Sequence, residues 1–125
     1  MKRKIIIIED DRELCEEMHE ILTDEGYSVM VAFNGLDGLN LIESHACDLL
    51  LLDLKMPGLG GEDLLARLAG QDQRPKVLVL TAKIFDGHLG EPRPADRMGW
   101  ELVKDVIGKP FDIPLLLRKV RDLLG

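Results

Sequence analysis

The chain has 125 residues, of which 46% are apolar and only 4% aromatic, and its formal net charge is -7. A chain of this length fits one domain, whose core must be built from aliphatic side chains rather than rings. The acidic balance argues against a nucleic-acid-binding surface, which must be basic, and suits either plain solubility or the binding of a divalent cation.

Targeting and redox features are weak in this sequence. The apolar run at residues 5–8 is too short for a signal peptide, and no stretch reaches the roughly 18–20 apolar residues of a membrane span. Cys15 and Cys47 follow no metal or redox spacing, and we interpret them as small buried or half-buried residues in a reducing compartment. We therefore expect a cytoplasmic protein that does not contact a membrane.

The first half of the chain alternates short apolar runs with longer amphipathic ones. Residues 4–9 contain four consecutive isoleucines, a pattern typical of a strand that is buried on both faces of a parallel sheet. Residues 11–25 follow with a one-sided helical pattern, and Ser28–Ala32 reads as a second strand. Asn34 is then the expected cap of a second helix.

The second half continues the alternation. Residues 48–53 form the third expected strand; they hold four consecutive leucines, and although leucine favours helices, the short run and its flanks indicate a buried strand. The remaining expectations are a loop at 56–61, a helix at 62–69, strands at Lys76–Thr81 and 104–108, and a closing helix at Ile113–Leu124. Such alternation predicts one α/β domain with a doubly wound, five-stranded parallel sheet.

Residues 82–100 interrupt this rhythm. They contain three glycines and two prolines but few periodic apolar positions, so we expect an irregular loop whose helix, if any, is short and lies within 95–102.

Polar residues follow four of the predicted strands, and the carboxyl ends of parallel strands meet at one edge of the sheet. Glu9 and Asp10 follow the first strand, Asp53 and Thr81 end the third and fourth, and Lys109 follows the fifth. Clustered carboxylates repel one another unless a cation lies between them, and Mg²⁺ prefers such oxygen ligands. With a lysine and a hydroxyl, the set supplies the parts of phosphoryl transfer, with Asp53 as the nucleophile.

Four segments carry a family resemblance: Ile5 to Ile8 followed by Glu9-Asp10-Asp11, Leu52 to Gly58 with Gly61, Leu80-Thr81-Ala82, and Lys109-Pro110-Phe111. In this order and strand context they resemble the receiver domain of bacterial two-component response regulators, the chemotaxis-type receiver fold. The resemblance covers essentially all of residues 1–125 and implies a (βα)5 domain of flavodoxin-like strand order 2-1-3-4-5.

The resemblance implies a magnesium site and a phosphoacceptor. Asp53 would accept a phosphoryl group from a phosphohistidine on a sensor histidine kinase or a phosphotransfer protein. Asp10 and Asp53 would bind Mg²⁺ directly, the main-chain carbonyl of Lys55 would be a third ligand, and Glu9 would act through a metal-bound water.

The resemblance also implies a switch. Lys109 would pair with Asp53 and then with the phosphate, its bond to Pro110 would be cis, and Thr81 would move toward the phosphoryl group. The domain would catalyse its own phosphorylation and dephosphorylation, without being a conventional turnover enzyme. It would then change its affinity for a downstream effector protein or domain, with no direct nucleic-acid contact; a homodimer is left open.

The sequence departs from the family's pattern at two places that concern how phosphorylation would be passed to a partner. The family usually has an aromatic residue three positions before the lysine, where this chain has Val106, and Trp100 or Phe85 is left open as a substitute. The 27 residues between Thr81 and Lys109 are also more than the family's usual loop, helix and strand require. The fourth helix, fifth strand and fifth helix are the family's signalling face, so the output surface would be unusual.

Simpler alternatives stay open. Asp11 is expected to cap the first helix rather than to bind a metal. The whole domain could be a degenerate receiver that serves as a docking or dimerisation module without phosphorylation. A phosphatase or hydrolase with an aspartyl nucleophile is disfavoured, because such enzymes carry a second aspartate two residues later, where this chain has Lys55.

Overall fold

The computed structural model describes residues 2–72, 74–82 and 98–125. Its elements in chain order are β1 (Lys4–Ile8), α1 (Arg12–Asp24), β2 (Ser28–Ala32), α2 (Gly35–Ser44), β3 (Leu49–Asp53), α3 (Gly61–Ala69), β4 (Lys76–Thr81), a 3₁₀ helix (Trp100–Leu102), β5 (Val103–Gly108) and α4 (Ile113–Leu124). The expected strands and helices in these ranges are confirmed, with ends that shift by a residue. None of these helices is long and apolar enough to cross a membrane.

The five strands form one parallel sheet in the order β2-β1-β3-β4-β5, which confirms the flavodoxin-like prediction. The isoleucine run of β1 and the leucine run of β3 lie at its centre and are at most 1% exposed. Burial of each such side chain contributes roughly 1.5–3 kcal/mol, which outweighs the few tenths by which leucine prefers a helix. Tertiary packing therefore makes the leucine run a strand.

Helices cover both faces of the sheet, and alternate residues of each central strand point to opposite sides. On one side, Ile6, Ile8, Leu50 and Leu52 pack with apolar residues of α2 and α3. On the other side, Ile5, Ile7, Leu49 and Leu51 pack with apolar residues of α1 and α4. The central strands are thereby held rigidly, and so are the residues at their carboxyl ends.

β5 contains one extra residue relative to β4. Val77 pairs with Val103, but Leu78 pairs with Asp105, so Lys104 is the bulged residue. After the bulge the register runs regularly to the pair of Thr81 and Gly108. The last residue of β5 therefore lies beside the last residue of β4, and Lys109 begins at the same edge of the sheet.

The segment before β5 packs closely on α3. Gly99 has φ +93°, and a Cβ atom built on it would lie 2.0 Å from the carbonyl oxygen of Leu65. Trp100 follows at the amino end of β5, whereas Thr81 lies near its carboxyl end, about 20 Å away along the strand. This placement disfavours Trp100 as the substitute for the family's aromatic residue, and Phe85 lies outside the described residues.

The expected short helix within 95–102 is confirmed only in part. The 3₁₀ helix Trp100–Leu102 falls in that range, while residues 83–97 lie outside the described residues.

Candidate functional site

Three carboxylates meet at the carboxyl ends of β1 and β3, which are neighbouring strands. Glu9 directly follows β1, Asp10 comes next, and Asp53 is the last residue of β3. One carboxylate oxygen from each lies within 4.8 Å of the others. Glu9 and Asp53 are 0% and 3% exposed, whereas Asp10 is exposed to solvent. The predicted convergence of these side chains is confirmed.

The backbone after β3 returns closely to Asp53. Asp53 Oδ1 accepts a hydrogen bond from the backbone N–H of Lys55 at 3.1 Å. A Cβ atom on Gly61 would lie 2.7 Å from the carbonyl oxygen of Asp53, so a side chain there would push α3 away from the site. The main chain of Lys55 is therefore beside the pocket, as the expected carbonyl ligand requires, while its side chain is exposed.

Glu9 is held on both of its carboxylate oxygens. Its Oε2 accepts a hydrogen bond from the backbone N–H of Asp11 at 3.0 Å, and its Oε1 forms an ion pair with Lys109 Nζ. Burial raises the pKa of Glu9 to about 7, although its contacts with Lys109 and with the Asp11 N–H act in the opposite direction. Burial therefore makes this carboxyl group hold its proton to a higher pH than an exposed glutamate does.

Lys109 bridges two of the acidic residues. Its Nζ lies 3.5 Å from Asp53 Oδ2 and closer still to Glu9 Oε1. Burial alone lowers the pKa of Lys109, but the hydrogen bond and charge of Glu9, together with Asp53, outweigh it and raise the pKa. The Lys109–Pro110 bond is cis.

The close Lys109–Glu9 contact is one that sequence reasoning missed. The resemblance predicted Asp53 as the partner of Lys109, and Glu9 only as a residue near the metal. The one sequence signal for it is that residue 9 is a glutamate, where the family has Asp or Glu, because the longer side chain reaches farther across the strand ends.

Thr81 completes the edge of the pocket. It is 2% exposed and ends β4, one residue after Leu80, which pairs with Asp53. Its backbone carbonyl accepts a hydrogen bond from the N–H of Lys109 at 2.8 Å. The backbone of Thr81 thus lies beside those of Asp53 and Lys109, as predicted.

Asp11 adopts the structural role expected of it. Its side chain accepts a hydrogen bond from the backbone N–H of Leu14 at 3.2 Å and caps α1. The guanidinium of Arg12, the first residue of α1, stacks 4.1 Å from the ring centroid of Phe33, which follows β2. Sequence reasoning did not identify this contact, which fastens the start of α1 to the end of β2.

The cysteines take no part in the site. Cys15 is buried and Cys47 half-buried, and burial raises the pKa of both thiols to about 12. A thiol with such a pKa stays protonated and is a poor metal ligand or nucleophile. Their interpretation as apolar packing residues agrees with this placement.

The donor chemistry of the pocket fits a hard divalent cation. Mg²⁺ is commonly held by one or two carboxylates with water and phosphate oxygens completing its octahedron. Glu9, Asp10 and Asp53 supply carboxylate oxygens at close range, and they are the one such acidic group within 2–72, 74–82 and 98–125.

Known proteins are similar to this chain both in sequence and in fold. Residues 5–121 match the family described as the response regulator receiver domain. The response regulator ArlR of Staphylococcus aureus is 35% identical over 123 residues, which are 97% of this chain and 52% of ArlR. The chain thus spans about half the length of the curated relatives it matches.

Solved structures show the same architecture. The Thermotoga maritima response regulator TrrA in complex with Mg²⁺-BeF has a TM-score of 0.77 and 26% identity, with 97% of this chain and 98% of that chain covered. TrrA in complex with the histidine kinase ThkA has a TM-score of 0.76 and 27% identity, with 98% and 99% covered. Together with the match over residues 5–121, they show that this chain belongs to the family of response regulator receiver domains.

Proposed function

We propose that this chain accepts a phosphoryl group on Asp53 in a Mg²⁺-dependent reaction and then changes its affinity for a downstream partner. The observation that carries this proposal is the placement of Asp53, which is buried within 3.5 Å of the Lys109 ammonium and beside two further carboxylates. The donor would be a phosphohistidine of a sensor histidine kinase or phosphotransfer protein, and the reaction would take place in the cytoplasm. The complex of TrrA with ThkA supports a partner of this class.

Each residue has a distinct role in the proposed transfer. A carboxylate oxygen of Asp53 attacks phosphorus, a P–O bond forms, and the P–N bond to the donor imidazole breaks. Bound Mg²⁺ would neutralise charge on the phosphoryl oxygens. Its ligands would be Asp10, Asp53 and the Lys55 carbonyl, with Glu9 acting through a water.

Lys109 and Thr81 complete the proposed machinery. The Lys109 ammonium already lies beside Asp53 and can follow the phosphoryl group onto it. The Thr81 hydroxyl, at the end of the neighbouring strand, can donate a hydrogen bond to a phosphoryl oxygen and so report the modification to the backbone.

The test is labelling of Asp53. We expect the purified chain to gain one phosphoryl group from phosphoramidate in the presence of Mg²⁺, measured by intact mass, and Asp53→Asn to gain none. Asp48→Asn is the matched control, since Asp48 lies just before the same strand, where its carboxylate accepts the backbone N–H of Lys4 at 2.7 Å. If Asp53→Asn is labelled as readily as the control, the proposal is wrong.

A second candidate function is a phosphorylation-independent docking or dimerisation module. Val106, which replaces the family's aromatic residue, favours it, because the usual relay lacks its ring. Beryllofluoride with Mg²⁺ separates the two functions. We expect it to shift backbone NMR signals of β4 and β5, whereas a constitutive module would show no change beyond that caused by Mg²⁺ alone.

A further inference from the structure

A groove lies between the first turn of α2 and the loop that leads into α3. Its volume is about 370 Å³, at the lower end of the range of ligand-binding pockets. It is separate from the acidic pocket and is lined by Asn34, Gly35, Leu36, Pro57, Gly58, Leu59 and Arg67. Of these residues only Arg67 is charged, so the groove is an apolar recess with one cation on its wall.

The walls of the groove are held together by direct packing of backbone on backbone. Gly35 begins α2, and a Cβ atom built on it would lie 2.1 Å from the carbonyl oxygen of Leu59. Asn34 caps the same helix, because its side-chain oxygen accepts the backbone N–H of Asp37 at 2.8 Å. A side chain that enters the groove therefore meets a surface that is already shaped, which lowers the cost of binding.

Leu36 lies at the rim of the groove and is 61% exposed. It occupies the solvent-facing side of α2, where an amphipathic helix normally carries a polar residue. A two-fold axis near this rim would place Leu36 of each copy of the chain in the groove of the other. In such an isologous contact every favourable interaction occurs twice, so the exposed leucine and the recess beside it are complementary to each other.

The charges around the groove fit the same arrangement. Asp37 directly follows Leu36, and both Asp37 and Arg67 are exposed. Within the described part of the chain the Arg67 guanidinium forms no ion pair, although Asp63 precedes it by about one turn of α3. When Leu36 of one copy enters the groove of another, it brings Asp37 toward the Arg67 of that second copy. This charge complementarity favours a second copy of the chain as the occupant.

We propose that this groove is a self-association surface, in which two copies insert Leu36 into each other's groove and pair Asp37 of one with Arg67 of the other. The surface belongs to the α2–α3 side of the sheet and does not include β5. Each copy carries a net charge of -7, and the long-range repulsion between the copies keeps the association weak. The inference does not depend on phosphorylation of Asp53.

The first test is sedimentation equilibrium of the whole chain, from micromolar to millimolar concentration at physiological salt. We expect a reversible monomer–dimer equilibrium, and association at least about tenfold weaker in Leu36→Asp, because two buried leucines become buried charges. Met98→Asp is the matched control, since Met98 is 63% exposed but does not line the groove, and it should associate like the unmodified chain. An unmodified chain that stays monomeric at millimolar concentration, or a Leu36→Asp variant that associates as tightly as the control, overturns the proposal.

The second test is a charge exchange that leaves Leu36 in place. Arg67→Glu and Asp37→Lys each put like charges opposite one another at both ion pairs of the dimer, so each variant alone should associate at least about tenfold more weakly. An equimolar mixture of the two restores both ion pairs and should form heterodimers about as readily as the unmodified chain dimerises. A mixture that associates no better than its components overturns the pairing of Asp37 with Arg67.

Circular dichroism confirms that each variant is folded, which matters most for Asp37→Lys because Asp37 also accepts a hydrogen bond from the Asn34 side-chain amide at 2.9 Å. If that variant is not folded, Arg67→Glu alone decides, and its undiminished association overturns the ion pair. Labelling of Asp53 by phosphoramidate is measured on the same samples. Normal labelling without association rejects this inference alone, whereas association without labelling rejects the proposed function alone.

Discussion

The backbone N–H of Lys109 donates a hydrogen bond to the carbonyl oxygen of Thr81 at 2.8 Å, immediately after the pair of Thr81 with Gly108. The residue that carries the pocket hydroxyl and the residue that carries its ammonium are therefore joined through the main chain. In the proposed switch, a displacement of Thr81 toward Asp53 would pull on the start of the segment after β5 through this hydrogen bond. The proposed switch thus has a direct mechanical connection between β4 and β5.

The Thr81 hydroxyl is expected to matter more for the response than for the chemistry. Thr81→Ala should slow labelling of Asp53 without abolishing it, because the charges of Lys109 and of the cation remain. The beryllofluoride-induced NMR shifts in β5 should shrink strongly, since β4, which ends at Thr81, loses its hydrogen bond to the bound group and no longer passes a displacement to β5. Thr81→Ser keeps the hydroxyl and should respond like the unmodified chain. Full-sized shifts in Thr81→Ala would remove Thr81 from the relay.

Val106 is expected to contribute to packing and not to switching. Its side chain is half-buried against the core on the α3 side, opposite Val79, and is too short to swing as a ring does. Val106→Ala should lower the free energy of unfolding by about 1–2 kcal/mol, measured with urea, and leave the beryllofluoride response intact. Val31→Ala, in the other edge strand, is the packing control. A lost response with normal stability would assign Val106 a part in the relay.

Gly99 is expected to be essential for the approach of the 3₁₀ helix to α3. It combines φ +93° with a backbone oxygen of Leu65 only 2.0 Å from where a Cβ would lie. Gly99→Ala should therefore destabilise the fold by at least about 2–3 kcal/mol in urea unfolding. Gly26→Ala is the control, since Gly26 has a similar φ of +99° but open space around it, and it should lose about 1 kcal/mol. Equal losses would show that only backbone conformation matters at Gly99.

The sheet and the acidic pocket could be predicted because both depend on chain topology. The isoleucine and leucine runs mark the two central strands, and parallel strands bring their carboxyl ends to one edge. The positions of Glu9 and Asp53 follow from that geometry without any knowledge of side-chain conformation.

What the sequence could not predict depends on differences of one residue or one methylene group. The bulge at Lys104 inserts one residue into β5, and no pattern in the sequence marks it. Lys109 lies closer to Glu9 than to Asp53, and this follows from side-chain conformations that the strand pattern does not specify. Trp100 lies at the amino end of β5, away from the pocket. This could not be predicted without knowing where β5 begins and how it pairs with β4.

The pH dependence of stability should reveal the buried carboxyl group of Glu9. Its pKa rises from 4.5 to about 7 on folding, because burial disfavours the charged form. The folded chain therefore keeps a proton that the unfolded chain has lost between these pH values, and stability falls as pH rises through this window. The loss should total about 3 kcal/mol and then level off above the folded-state pKa.

Urea unfolding in EDTA at several pH values from 4.5 to 8 measures this effect as the difference between the unmodified chain and Glu9→Gln, which cannot titrate at this position. Groups common to both chains cancel in the difference. Adding Mg²⁺ should flatten the slope, because a cation beside Glu9 stabilises its charged form and lowers its pKa. A difference that is constant with pH, or that grows in favour of the unmodified chain as pH rises, would show that Glu9 stays charged throughout the window.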